Sequence, residues 1–166
     1  MKNLQRLLLP AILLCAHTVT AQLSQTRNAG TAATSATAPC GATAWINTAN
    51  ATGVINNGTV ARTTPAVGVT PNCLELTNAG FTIPAYATIT GIRVDVRRIA
   101  SRTNVNDINV QLLKAGARTG GNLAQYNNWP QALTTVTYGG DGNLWGATWL
   151  PADINAANFG FSITAS

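Results

Sequence analysis

FTIPAYATITGIRVDVRR, residues 81–98, is the stretch on which the fold turns. Ile92, Val94 and Val96 alternate with Arg93, Asp95 and Arg97. A period of two residues sets one face of an extended strand against a core and the other against water. Pro84 bends the chain upstream, so residues 81–83 read as a short strand and residues 88–99 as a long one. The same alternation recurs on both sides. Leu74 and Leu76 precede it, and Ile108, Val110 and Leu112 follow, with Asn109 and Gln111 expected outward. Residues 133–138, the short aromatic stretch 145–150, and Phe159, Phe161, Ile163 and Ala165 complete the series. Helical periodicity is confined to residues 151–157, where Pro151 and Asp153 suit a single turn. Seven or eight short strands predict an all-β domain, a two-sheet antiparallel sandwich of jelly-roll or immunoglobulin-like type.

The sandwich is assigned to residues 40–166, and two segments precede it. Residues 1–21 read as a secretory signal peptide: Lys2 and Arg6, a short apolar run, then Val19-Thr20-Ala21 before Gln22. The run is far shorter than the ~20 residues of a spanning helix. Cys15 has Leu14 before it where lipidation would want a small residue, so ordinary processing is the stronger reading. Residues 22–39 are rich in Thr, Ala, Ser and Asn and read as an extended or disordered arm. The turn signal Asn56-Asn57-Gly58 and the glycosylation-type triplets at Asn50 and Asn57 are taken as loop chemistry. The expected location is secreted or cell-surface, with no membrane insertion after processing.

Composition narrows the chemistry. The chain carries net charge +5; loss of residues 1–21 leaves eight basic side chains against five acidic ones, net +3. Arg93, Arg97, Arg98 and Arg102 cluster, but Asp95 interrupts them and no aromatic residue is interleaved. A solvated strand face is the better reading, and no nucleic-acid partner is expected. His17, the only histidine, lies in the leader, so a serine or cysteine nucleophile would lack its usual base. Five scattered acids carry no glycosidase-type pairing motif, and no enzyme is expected. In an oxidising compartment Cys40 and Cys73 are expected to form a disulfide.

Two binding possibilities remain. Tyr138, Trp145 and Trp149 surround a glycine-rich turn, where exposed rings would stack on an extracellular polysaccharide. Burial in the core beside Phe159, Phe161 and Trp129 is the stronger reading, because aromatic rings supply large areas to sandwich interiors. Asp141 with Asn143, and Asp107 with Asn104 and Asn106, are oxygen-rich loops of the sort calcium uses, although turn chemistry explains both. No cofactor is otherwise expected.

Trp45, the 81–96 phrase, VQLLKAG (110–116), Trp129-Pro130 and YGGDGNLWGATWLPADINAANFGF (138–161) together resemble a sandwich module of exported bacterial surface and phage-associated proteins. The resemblance spans residues 44–165 and implies architecture and location without a defined activity. The Ala21–Gln22 junction is similar to that of exported proteins from Bacteroidetes-type bacteria. In the related pattern a further strand usually follows FGFSI, whereas Ser166 is the last residue here. Either the sequence is a fragment, which is the favoured reading, or the domain lacks a final edge strand and is open to self-association or a surface-protein partner. The arm could donate a strand to a neighbour, but it has few β-branched or large apolar residues to do so. The functional expectation is a non-catalytic structural or adhesive module, with carbohydrate binding and self-assembly by strand addition as alternatives.

Overall fold

A computed structural model describes residues 22–53 and 58–166. The leader and the Asn56-Asn57 part of the turn signal lie outside the described residues. Seven strands follow in chain order: β1 Thr31–Ser35, β2 Cys73–Thr77, β3 Ile92–Arg98, β4 Asp107–Lys114, β5 Ala117–Thr119, β6 Thr134–Gly140 and β7 Gly160–Ala165. One short helix, α1 Pro151–Asn155, lies between β6 and β7. The strands form two antiparallel sheets, β1-β2-β7-β4-β5 and β3-β6, packed as a β-sandwich.

β7 is the spine of the larger sheet. Phe161 and Ile163 pair with Leu76 and Leu74 on one side and with Leu112 and Val110 on the other. Their shared face builds the core, as the alternation predicts. The opposite face is not solvated, however, because Ser162 and Thr164 are also buried. Arg118 Nε donates to Ser162 Oγ at 3.1 Å, and Thr164 Oγ1 donates to the Pro71 carbonyl at 3.1 Å. The chain around residues 37–41 and 70–72 closes this outer face, and the Cys40–Cys73 disulfide ties it down with Cα atoms 5.2 Å apart.

Three expectations need correction. First, of the two readings of the arm, extended or disordered, Thr31–Ser35 takes the extended one and joins the sandwich. Thr31–Ser35 pairs residue for residue with β2, from Thr31–Thr77 to Ser35–Cys73. An edge strand is held by main-chain hydrogen bonds, so its small, largely exposed side chains do not prevent pairing. Second, the β4 alternation fails at its start. Asp107 pairs with Ala165 and Asn109 with Thr164, so Ile108 is an extra residue in the ladder. This bulge leaves Ile108 exposed and turns Asp107 onto the core face beside Ala165, while Asn109 keeps the outer phase beside Thr164 and is buried with it. Third, residues 145–150 are turns rather than a strand.

The helix-start reading holds, whereas residues 81–83 form no strand. Asp153 accepts the Leu150 N–H at 2.8 Å to start α1, and Asn155 at its end holds the Ile83 N–H and C=O, each at 2.8 Å. The long strand is shorter than expected. It pairs only from Ile92 to Arg98, while residues 81–91 run alongside the core with Phe81 edge-on to Phe159.

Candidate functional site

The residues expected to meet a ligand are inside the protein. Trp145, Tyr138 and Trp149 are 1%, 2% and 6% exposed, so none presents a ring face on which a sugar could stack. This corrects the carbohydrate reading. Trp145 sits in the left-handed region at φ 57°, held by Asn143 Oδ1 at its N–H and by the Ile92 carbonyl at its indole N–H. Gly139 makes room for it. A Cβ there would lie 2.2 Å from the Ile92 carbonyl and 2.5 Å from Trp145 Nε1. Trp145 then packs edge-on against Phe161, and Trp149 against Phe159.

Asp107 belongs to a buried polar cluster rather than to a calcium loop. Its Oδ1 accepts from Arg98 and, at 2.7 Å, from the Trp129 indole; its Oδ2 accepts from the Tyr138 hydroxyl at 2.9 Å and the Gln125 N–H at 2.8 Å. Arg98 also donates to the Tyr138 oxygen and lies 5.1 Å over the Trp129 ring. Both lone-pair regions of the carboxylate are thus occupied by donors, which leaves no ligand capacity for a cation. Burial, and then the Asp107 charge, push the Tyr138 hydroxyl well above the usual phenol range. Asp141 is exposed in the turn that follows β6. Asn143 spends its oxygen on Trp145, and among the described residues no three of His, Cys, Asp and Glu gather as a metal-ligand group.

The charge-cluster reading missed this network. Arg98 was grouped with Arg93, Arg97 and Arg102, yet it continues the inward phase Ile92, Val94, Val96. An arginine on the apolar phase of a strand is the signal that it meets a buried acid.

The strongest candidate site is a cleft of about 2570 Å³ beside β3. All seven residues of β3 line it, although their side chains alternate between two faces, and no residue of β6 does. The cleft therefore runs along the strand's backbone edge, on the side away from β6. Among the described residues no strand borders that side. The far wall is the core face of the larger sheet, including Leu76, Phe161 and Ile163. Ile92, Val94 and Val96, which point the same way as the core, are only half-buried. The cleft exceeds the roughly 300–1,000 Å³ of small-molecule sites. Its charged lining is mostly basic: Arg27, Arg62, Arg93, Arg97, Arg98 and Arg102 against Asp95 and Asp141, with Arg93 ion-paired to Asp95 and Arg98 to Asp107.

No family model, curated protein or solved structure matches this chain. The fold and the site stand on their own geometry.

Proposed function

We propose that the chain is an exported, non-catalytic structural and adhesive module that engages its partner by accepting a polypeptide strand along the open edge of β3. The carrying observation is the cleft along the side of β3 away from β6, where, among the described residues, no strand pairs with it and Ile92, Val94 and Val96 stay half-buried. Strand addition suits such a place. Main-chain hydrogen bonds to the edge give affinity, and alternate side chains fill the apolar wall. The acids support a non-catalytic reading, since Glu75, Asp95, Asp107 and Asp153 are each committed to an ion pair. The buried disulfide is compatible with an extracellular setting, and among the described residues no helix is long and apolar enough to cross a membrane.

Amide hydrogen exchange on the dilute monomer tests the reading. Amides of β3 that face the cleft should exchange orders of magnitude faster than those of β7, which is paired on both sides. Equal protection along β3 and β7 in the monomer would mean that the edge is already covered, and the proposal would fall.

A further inference from the structure

Resting on the exported part of that reading, we infer that Gln22 is a modification site. Once residues 1–21 are removed, its α-amine and its own side-chain carboxamide close to a pyroglutamyl ring. The residue that follows the Val19-Thr20-Ala21 junction decides this. A glutamine at a free N-terminus can close a five-membered ring on itself, whereas asparagine would need a strained four-membered one.

The step balances without a co-reactant. The α-nitrogen attacks Cδ, an N–Cδ amide bond forms, and the Cδ–Nε2 bond breaks. The amine gives one proton to Nε2, which leaves as ammonia. An α-amine titrates lower than a lysine amine, close to neutral pH, so an unprotonated nucleophile is on hand.

The fold leaves the two reacting groups free to meet. Gln22, Leu23 and Ser24 are exposed and belong to no strand or helix. Among the described residues, the first hydrogen bonds of the arm come at Gln25. Its Nε2 donates to the Thr82 carbonyl and its Oε1 accepts from the Thr82 N–H, each at 3.2 Å. Arg27 Nε follows with a bond to the Gly80 carbonyl at 3.4 Å. The Gln25 carboxamide is thus committed to main chain, and as an internal residue it has no amine to attack it. Gln22 lies ahead of these tethers, where neither constraint applies.

Ring closure has two physical consequences. It removes the terminal positive charge from the border of a cleft that Gln22 lines together with Arg27, Arg62 and Arg102. It also takes away the free α-amine that an aminopeptidase must grip. An open end would be trimmed through exposed residues towards β1, the edge strand of the larger sheet.

The test expresses the full chain, leader included, in a bacterial host and recovers folded protein from its oxidising export compartment. The protein is held for several days in mildly alkaline buffer and its intact mass is measured. The parent should weigh one ammonia less than residues 22–166 with the disulfide intact, and should resist a broad-specificity aminopeptidase. Gln22→Ser should keep its full mass and be trimmed from the N-terminus by the same enzyme.

A parent with its full mass and a free amine would overturn the ring closure while leaving export and cleavage standing. Ammonia loss from Gln22→Ser as well would place the reaction at another residue and overturn the assignment. Retention of residues 1–21, or cleavage at another bond, would overturn the leader reading and this inference with it. Strand acceptance by β3 is decided separately, by amide exchange.

Discussion

Asp107→Asn offers the most direct test of how this core is held together. The substitution keeps the shape of the side chain but removes the charge that faces Arg98, whose side chain is 3% exposed against 0% for Asp107. It also puts an N–H₂ where donors from Trp129, Tyr138 and Gln125 already converge. Breaking a buried pair from one side typically costs about 3–5 kcal/mol, because the surviving charge is left without a partner. Against a total stability of about 5–15 kcal/mol for a single domain, that loss is large. With a urea slope of about 2 kcal/mol/M the midpoint should fall by roughly 2 M. Equilibrium urea unfolding followed by tryptophan fluorescence is the assay, since Trp129 sits in the cluster. Adding Arg98→Met should recover part of the loss, as the orphaned charge is then gone. A loss below about 1 kcal/mol for Asp107→Asn, or a double variant as costly as two independent lesions, would refute the reasoning.

Other outcomes follow from the same structure. Replacing Cys40 and Cys73 by serine, which opens a link between residues 33 apart, should lower stability by about 3–4 kcal/mol in the chain-entropy model, measured by denaturant unfolding of both forms. Gly139→Ala should destabilise by more than about 2 kcal/mol, since its φ is 67° and the new Cβ would strike Ile92 and Trp145; a thermal melt within a degree of the parent would contradict this. Tyr138 favours its neutral form in the fold, so the stability linked to it is intact below the ordinary phenol value of 10.0 and is lost as pH rises above that value. Ultraviolet titration should show one phenol ionising late, together with alkaline unfolding, and Tyr138→Phe should remove that late step. Asp153 is held below the usual carboxylate range by Lys114 and by the Leu150 N–H. Its contribution is therefore present at neutral pH and fades as acid protonates it, so the melting curves of the parent and Asp153→Asn should converge towards pH 2.

Residues 92–98 explain how much was legible beforehand. The apolar phase of Ile92, Val94 and Val96 and the disulfide of Cys40 with Cys73 are local or compositional signals, and both appear in the fold. The one-turn helix after Leu150 is equally local, since Pro151 and Asp153 suit the first turn of a helix wherever it sits. The aromatic residues were read as core ahead of surface on their size, since ring chemistry is the same in both places. Exposure depends on what Gly139 and Phe161 bring alongside. Whether the arm is extended or disordered stayed open for a related reason. Its side chains bury little, and the partner that recruits its backbone, β2, lies some forty residues away.

Alternation was enough to establish an antiparallel β domain from the chain alone, because a two-residue period is carried by neighbouring side chains. Composition did the same for its oxidised cysteine pair and its shortage of acids. Folding settled where those strands meet. One extra residue at Ile108 shifts the phase of β4 and carries Asp107 inward, where Arg98 arrives from another sheet. The sheet order then puts β7 between β2 and β4 and, among the described residues, leaves β3 paired with β6 alone beside the cleft. Pairing between distant segments depends on backbone edges, bulges and packing across the whole domain, and a period of two reads the same on a central strand as on an open one.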